Sequence, residues 1–216
     1  MKKVTVIDYG LCNILSVKRA FEYCGADVCI TDSPKDVLNA SYLVMPGVGA
    51  FADGMKGLGD RNLVEPILEY CSGERPFLGI CLGMQMMLDK SEEFGLHKGL
   101  GLIKGKVLRI PDTDTDGVYQ KVPHIGWNEL KCPKDENGDW WGKTILHSIN
   151  EGDMVYFVHS YTAWPEDKAN RIADVYYGGR RISAVIGKNY IYGSQFHPEK
   201  SGEVGLTVIR NFLNLV

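Results

Sequence analysis

The first half of the chain alternates short apolar runs with amphipathic segments. The apolar runs are VTVID, ADVCIT, SYLVMPG and PFLGI, several of them apolar on both faces, as the buried strands of a parallel sheet are. Residues 13–24, 62–70 and 84–88 lie between or after these runs and have the amphipathic character of helices. The alternation predicts an α/β fold in which a central, mostly parallel sheet is covered by helices on both faces.

From about residue 99 the pattern changes to strand-like stretches that turn residues separate: GLIKGKVLRI, DMVYFVHSY, RIADVYY and RISAVIG. These stretches predict an added, largely antiparallel portion of the same sheet. Two segments rich in Asp, Gly and Pro, residues 111–117 and 132–142, are predicted to be surface loops. The apolar spacing over residues 203–215 predicts a final helix. We expect one domain spanning residues 1–216.

Composition and charge argue against nucleic-acid binding, membrane insertion and a zinc site, but they do not define the function. The chain has 216 residues and a net charge of -3, and its Lys and Arg residues are scattered, so it has no electrostatic footprint for nucleic acid or an anionic membrane. The first apolar stretch ends at Asp8, too early for a secretory or membrane-spanning segment, so a cytoplasmic location is expected. The six cysteines are then reduced, and their spacing predicts no zinc site. The sequence indicates no metal and no cofactor.

One cysteine lies between two glycines in PFLGICLGMQ, residues 76–85. An apolar strand runs into Gly79, Cys81 and Gly83 and then into a helix, which is the nucleophile elbow of hydrolases with cysteine in place of serine. The glycines permit the sharp turn that projects the thiol, and the helix N-terminus favours the thiolate. Cys81 is therefore a candidate nucleophile, although a buried cysteine beside a tight turn fits the same residues.

A histidine and a glutamate flank Pro198 in GSQFHPEKSG, residues 193–202. Because proline disfavours the helical conformation for the residue before it, His197 is predicted to be extended. Residues i and i+2 of an extended chain point the same way, so His197 and Glu199 can face one site. A histidine that reaches a cysteine while a carboxylate orients its far nitrogen is the arrangement that acyl transfer needs. The alternative is a surface His–Glu pair in a turn.

Glycines 47 and 49 flank Val48 in MPGVGAF, directly after an apolar strand. Backbone N–H groups at the carboxyl end of such a strand can bind an oxyanion, and the N–H of Leu82, after the nucleophile, can act as a second donor. Open parallel sheets also bind ligands at this edge. A simple strand-to-helix turn would use the same glycines.

Together, PGVGAF, GICLGMQ and QFHPEKSG resemble the oxyanion, nucleophile and His-Glu motifs of the class I glutamine amidotransferases, in the same order and at similar separations. DYGLCNILSV, VPHIGWN and YFVHSY are similar to a histidine-pathway branch of that family, so the resemblance covers essentially the whole chain. It implies a flavodoxin-like fold and a glutaminase reaction in which Cys81 attacks the side-chain amide of L-glutamine, His197 moves the proton and Glu199 orients His197.

The resemblance also implies roles for other residues. The oxyanion-binding N–H groups would come from Val48, Gly49 and Leu82. Glutamine would be held by Gly47, Gln85, Glu93, Ser160 and Tyr161. A surface facing a partner protein would include Asn13, His124, Trp127, Asn128 and Lys200. His124 and His159 also lie in motifs, but we expect neither to be the catalytic base, because a hydrogen-bonded core histidine suits the apolar strand of His159.

A partner protein is expected because ammonia is mostly protonated at neutral pH, so it must reach an acceptor before it equilibrates with water. Nearly every segment is used by the glutaminase fold, which leaves the acceptor site to a second polypeptide. In the histidine-pathway branch the partner is a (β/α)8-barrel cyclase, bound as a heterodimer, that forms imidazole glycerol phosphate and aminoimidazole carboxamide ribotide. Leu11 and Cys12 stand where glycine is common in that branch. Similar variants supply sugar amidotransferases in surface-polysaccharide synthesis, which is the alternative partner.

Two other classes share some of these features. A stand-alone cysteine hydrolase has the elbow but usually takes its acid from a separate strand, so Glu199 argues against it. An inactive domain that serves only as a binding subunit would have lost Cys81, His197 or Glu199, and all three are present.

Overall fold

The computed structural model describes residues 1–133 and 141–216, so most of the predicted loop 132–142 lies outside the described residues. The described helices are α1 Ile14–Tyr23, α2 Pro34–Leu38, α3 Phe51–Asp60, α4 Val64–Ser72, α5 Leu82–Met86 and α6 Gly202–Leu213, with 3-10 turns at Lys168–Asn170 and Pro198–Lys200. The described strands are β1 Lys2–Ile7, β2 Ala26–Thr31, β3 Tyr42–Gly47, β4 Phe77–Cys81, β5 Lys90–Ser91, β6 His97–Lys98, β7 Gly105–Arg109, β8 His124–Glu129, β9 Met154–His159, β10 Tyr161–Pro165, β11 Arg171–Tyr177, β12 Arg180–Lys188 and β13 Ile191–Ser194.

The central sheet has seven strands in the order β11-β12-β13-β4-β3-β1-β2. Strands β2, β1, β3, β4 and β13 run parallel to one another, whereas β12 is antiparallel to both of its neighbours, β13 and β11. The predicted α/β class and its mostly parallel sheet are confirmed.

Both faces of this sheet are covered by helices because successive residues of each inner strand point to opposite sides. In β3, Tyr42 and Val44 pack into the core layer that contains α1 and α6, whereas Leu43 and Met45 pack into the layer that contains α2 to α5. All four residues are buried. SYLVMPG is apolar at successive positions because β3 contributes residues to both of these core layers.

The prediction that the second half extends the same sheet is correct for β11, β12 and the parallel strand β13. Strands β10, β7, β5 and β6 form a separate four-stranded sheet, and β8 pairs with β9 in a two-stranded ribbon. The predicted surface loop 111–117 is confirmed, with the carboxylate of Asp114 accepting the backbone N–H groups of Asp116 and Val118. Within the described residues, no helix has the length and apolar character needed to cross a bilayer.

The carboxyl ends of β3, β4 and β13 lie side by side and define where a site can form. Gly47 at the end of β3 is in register with Cys81 at the end of β4. Ser194 at the end of β13 is in register with Ile80, so the chain that follows β13 passes close to Cys81.

Candidate active site

Cys81 lies at the sharp junction between β4 and α5, with φ 54° and ψ -107°. Glycine is needed on both sides of this junction. A Cβ atom at Gly79 would lie 2.7 Å from the backbone of Gly83, and a Cβ atom at Gly83 would overlap the carbonyl oxygen of Met45. The predicted elbow is therefore present, and its glycines allow α5 to pack directly against β3 and β4.

His197 and Glu199 face the same site from the 3-10 turn after β13. His197 has φ -95° and ψ 101°, which confirms the predicted extended conformation before Pro198. Its Nδ1 atom lies 2.8 Å from Glu199 Oε1, and both side chains are almost fully buried. The backbone of His197 is fixed by Tyr156, whose carbonyl accepts its N–H at 3.1 Å, and by Ser201, whose hydroxyl donates to its carbonyl at 2.7 Å.

The charge of His197 is set by its two neighbours. Burial lowers its pKa, but hydrogen bonding and charge interaction with Cys81 and Glu199 outweigh burial and raise the pKa to about 10. Nδ1 is held by Glu199, and Nε2 is buried with no hydrogen-bond partner other than the nearby sulfur of Cys81. His197 therefore carries its proton at neutral pH, between the sulfur of Cys81 and the side chain of Glu199.

Two other cysteines are unsuited to nucleophilic chemistry. Burial and the carboxylate of Asp8 raise the pKa of Cys12 to about 11. Burial likewise raises the pKa of Cys71 to about 12. Both remain thiols at neutral pH, whereas Cys81 lies beside His197 at the cavity.

A cavity of about 560 Å³ opens over Cys81 and His197. It brings together most of the residues expected at the glutamine and oxyanion positions. Those that line the cavity are Val48, Gly49, Leu82, Gln85, Glu93, Ser160 and Tyr161. Gly47 lies behind this surface at the end of β3, where its Cα approaches the hydroxyl of Tyr9 and leaves no room for a side chain.

The expected oxyanion donors differ in orientation. Leu82 begins α5, so its N–H group has no partner within the helix. The N–H of Val48, in contrast, donates to the carbonyl oxygen of Leu11 at 2.8 Å. Gly49, with φ 99°, has open space around its Cα. In this conformation one expected donor, Val48, is thus committed to Leu11 instead of the cavity.

Two polar residues of the site escaped the sequence analysis. Gln195 donates to Cys81 Sγ at 3.7 Å and accepts from Gln85 Nε2 at 3.1 Å, so it links the nucleophile to the cavity wall. It lies in the quoted QFHPEKSG motif, but a glutamine before an aromatic residue has no distinctive signal. Arg109 lines the cavity beside Tyr161, its partner in the β7–β10 register, and is the cavity's one Arg or Lys among the described residues.

Glu93 and Gln85 are held by the backbone of the neighbouring elements. Glu93 Oε2 accepts the N–H of Phe51, the first residue of α3, at 2.6 Å. Gln85 Nε2 donates to the carbonyl oxygen of Tyr161 at 3.1 Å. These contacts join the glycine segment before α3 and the strand β10 to the same pocket.

The residues expected to face a partner divide into two groups. Asn13, Trp127 and Lys200 are exposed, and Asn128 is partly exposed. His124 is 3% exposed, so its ring offers a partner almost no surface. It is hydrogen-bonded to His159, and both rings lie in the interior, which confirms the prediction that His159 is a hydrogen-bonded core histidine.

Comparison with known proteins agrees with this geometry. The chain belongs to the glutamine amidotransferase class-I family, whose family model matches residues 5–215.

Its relatives include proteins with a more specific name. The chain is 53% identical over 215 residues to imidazole glycerol phosphate synthase subunit HisH 1 of Legionella pneumophila (strain Lens), with 100% of each chain covered. It is 44% identical over 210 residues to subunit HisH of Syntrophotalea carbinolica, covering 97% of this chain and 98% of that one. Among solved structures, a glutamine amidotransferase aligns with a TM-score of 0.71 and 14% identity over 98% of this chain and 97% of its own, which supports the fold.

Proposed function

We propose that the chain is a glutaminase subunit of imidazole glycerol phosphate synthase. One domain, residues 1–216, hydrolyses L-glutamine in the cytoplasm and passes the ammonia to a separate (β/α)8-barrel cyclase in a heterodimer, as a step of histidine biosynthesis. The observation that carries the proposal is the buried series Glu199, His197 and Cys81 at the base of the cavity. The full-length similarity to subunits named HisH supports the choice of synthase.

In the first half of the reaction the thiolate of Cys81 attacks the side-chain carbonyl of glutamine. The C–N bond breaks as His197 Nε2 gives its proton to the departing nitrogen, which leaves as NH₃ and a glutamyl thioester on Cys81. Glu199 stays ionised and holds Nδ1 throughout, so Nε2 remains directed at the sulfur.

In the second half the thioester is hydrolysed. Neutral His197 takes a proton from a water molecule as the water oxygen attacks the thioester carbonyl, and the C–S bond breaks to release glutamate. The protonated imidazole and the thiolate are then restored. The buried pairing of His197 with Glu199 favours the imidazolium at both ends of this cycle.

Both tetrahedral intermediates carry a negative oxygen that needs N–H donors. One donor in the proposed mechanism is the N–H of Leu82, which begins α5 and has no partner within the helix. The peptides of Val48 and Gly49 supply the second donor after the hydrogen bond from Val48 to Leu11 is released. The free orientation of Gly49 permits that change, and a resting enzyme with the bond intact has low activity.

The two charged groups on the α-carbon of glutamine match two charged side chains that line the cavity. Glu93 is available to the α-ammonium group and Arg109 to the α-carboxylate. Gln85, Ser160 and Tyr161 line the same cavity and bind the remaining polar atoms. This arrangement selects a zwitterionic amino acid whose side-chain amide reaches Cys81.

The decisive test is the Cys81→Ala variant in complex with the cyclase. It should lose glutamine-dependent formation of imidazole glycerol phosphate and keep the reaction that is supplied with ammonium salt. Cys71→Ala is the matched control, because Cys71 is buried to the same 7% exposure and lies away from the cavity. Loss of both reactions in Cys81→Ala would contradict the division of labour between the subunits.

The role of Arg109 is tested with a substrate that lacks its partner. Arg109→Met should raise the KM for glutamine about tenfold. This factor corresponds to the lower part of the free-energy range for a hydrogen bond to a charged group, because the Arg109 side chain is exposed to solvent. The same variant should leave unchanged the weak hydrolysis of 4-aminobutanamide, which has no α-carboxylate. Lys106→Met, on the same strand but outside the cavity wall, is the control. An equal effect on both substrates would remove Arg109 from carboxylate recognition.

The choice of synthase is tested by the proteins that bind the chain in its own cell. Purification of the tagged chain should recover a barrel cyclase. Recovery of a sugar amidotransferase in its place would support the alternative suggested by Leu11 and Cys12, and would leave the glutaminase chemistry of Cys81 intact.

A further inference from the structure

Two buried histidines outside the triad face each other across the ribbon of β8 and β9. His124 and His159 are partners in the antiparallel register, and they are 3% and 6% exposed. His124 Nδ1 lies 3.1 Å from His159 Nε2. The His124 ring is stacked between Tyr177 and Phe157, with centroids 4.2 and 5.0 Å away. The reaction proposed above gives neither histidine a role.

The donor and acceptor of each hydrogen bond in this series can be assigned by starting from the contact between His159 and the carbonyl oxygen of Tyr161. His159 Nδ1 lies 2.7 Å from the carbonyl oxygen of Tyr161, which can only accept, so Nδ1 carries a proton. Burial lowers the pKa of His159 to about 3. The ring is therefore neutral, and its Nε2 accepts from His124 Nδ1–H. Burial also lowers the pKa of His124 to about 4, which leaves its own Nε2 as an acceptor.

The outer end of this series is Asn128, on the same strand as His124. Asn128 Nδ2 lies 3.4 Å from His124 Nε2 and donates to the carbonyl oxygen of Tyr176 at 2.9 Å. Asn128 Oδ1 accepts the N–H of Glu129 at 2.8 Å. These contacts fix which end of the amide faces His124. Asn128 is partly exposed, so the series begins at the surface of the ribbon.

The inner end reaches the nucleophile. The carbonyl oxygen of Tyr161 accepts a second hydrogen bond, from Gln85 Nε2 at 3.1 Å. Gln85 Nε2 also donates to Gln195 Oε1 at 3.1 Å, and Gln195 Nε2 lies 3.7 Å from Cys81 Sγ. Every step between the ribbon surface and the sulfur of Cys81 is thus a polar contact between named atoms.

We propose that His124 and His159 are positioning residues that hold the Tyr161 carbonyl, and through it Gln85, in the geometry that binds glutamine, and that Asn128 couples this geometry to the surface of the β8–β9 ribbon. The inference rests on the proposed glutaminase function. Movement of the ribbon surface changes the position of Asn128, and the two rings carry that change to the wall of the glutamine pocket.

The first test compares two substitutions at each histidine. Asn places an amide N–H near the position of Nδ1, so His124→Asn keeps a donor to His159 and His159→Asn keeps a donor to Tyr161. Leu removes the donor in each case. The Leu variants should raise the KM for glutamine about tenfold with little change in kcat, the effect of one buried hydrogen bond, and the Asn variants should restore most of the loss. His147→Leu, at an exposed position, is the control.

These rates are measured in the complex with the cyclase, alongside its ammonia-dependent reaction, which none of the substitutions should change. If the unmodified complex hydrolyses no glutamine, the proposed function fails. If it is active and the Leu and Asn variants share the KM of the unmodified protein, the proposed function stands and the positioning role is refuted. Equal loss in the Leu and Asn variants would also refute it, because rescue requires the N–H donor.

The coupling to the surface is tested by a double substitution. Asn128→Ala should raise the KM by a smaller factor than His124→Leu, because its contact with His124 is longer. The double variant should be no worse than His124→Leu alone, since both act through one series of contacts. Factors that multiply would show independent effects and overturn the coupling.

A measurement on the unmodified protein covers the case in which the Leu variants fail to fold. Imidazole carbon chemical shifts of ¹³C-labelled protein report which ring nitrogen carries the proton. His124 and His159 should both be neutral at pH 7, with the proton on Nδ1. A proton on Nε2 of either ring would reverse a hydrogen bond and refute the proposal.

Discussion

Replacing Cys81 by glycine should leave a more stable protein than replacing it by alanine. Cys81 has φ 54° and ψ -107°, and a non-glycine residue held in such a conformation costs about 1–3 kcal/mol. Glycine removes that strain but costs about 0.4–1 kcal/mol through the greater freedom of its unfolded chain. From the middle of both ranges, the free energy of unfolding of Cys81→Gly should therefore exceed that of Cys81→Ala by about 1.3 kcal/mol.

Urea-induced unfolding, followed by tryptophan fluorescence, measures this difference. Both variants lack the thiol, so the lost thiolate–imidazolium interaction cancels in the comparison. Ala50→Gly is the control, because Ala50 has φ -83° and ψ 145°, where glycine should lower the stability by about 0.5–1 kcal/mol. Equal stability of the two Cys81 variants, or greater stability of the alanine variant, would refute strain at the elbow.

The charged pair and the tight turn provide three other tests. His197 should remain protonated until the pH approaches 10, and NMR titration should find a lower pKa for His197 in Cys81→Ser. The stability that comes from the raised pKa of His197 is complete below pH 6.5 and is lost as the pH rises through about 10. Glu199→Gln should lower kcat for glutamine about 100-fold, and an unchanged kcat would remove Glu199 from the triad. Gly83→Ala should displace α5 and lower kcat about 100-fold or more, whereas Gly59→Ala, with no atom within 4 Å, should unfold at the same or a slightly higher temperature.

The parallel core and the juxtaposition of Cys81, His197 and Glu199 were predictable because each has a local signature. Strands β1, β3 and β4 are apolar on both faces, and the turns at Cys81 and His197 need glycine and proline at fixed positions. The site then follows from the rule that parallel strands place their carboxyl ends at one edge. Apart from this rule, the prediction required no knowledge of contacts between residues that are far apart in the sequence.

Helix α3 shows what sequence patterns leave out. It contains Gly54 and Gly57, which are poor helix formers. A Cβ atom at Gly54 would lie 2.6 Å from Met86 Sδ, and one at Gly57 would lie 2.6 Å from the carbonyl oxygen of Tyr9. The close packing that requires these glycines is a tertiary property, so it left no helical pattern to recognise.

The orientation of the site residues also depends on contacts between segments far apart in the chain. Arg109 closes an ordinary apolar strand, and only its pairing with Tyr161 places it at the cavity. The commitment of Val48 N–H to Leu11, and the burial of His124 within a segment expected to face a partner, likewise arise from the three-dimensional arrangement.

The bond between Val48 and Leu11 has a consequence for how readily the protein changes state. A single backbone hydrogen bond contributes about 1 kcal/mol to stability. By itself it therefore favours the form in which Val48 is bonded to Leu11 over the form without the bond only about fivefold. To reverse a 99:1 population, a binding partner or ligand must favour the minor form by about 5.5 kcal/mol. The population held by this one hydrogen bond is far less biased, so a much smaller preference for the form without the bond reverses it. In the proposed mechanism, a modest preference for the form without this bond, of the size that a few new contacts supply, is then sufficient to convert most molecules to the form in which Val48 N–H can bind the oxyanion.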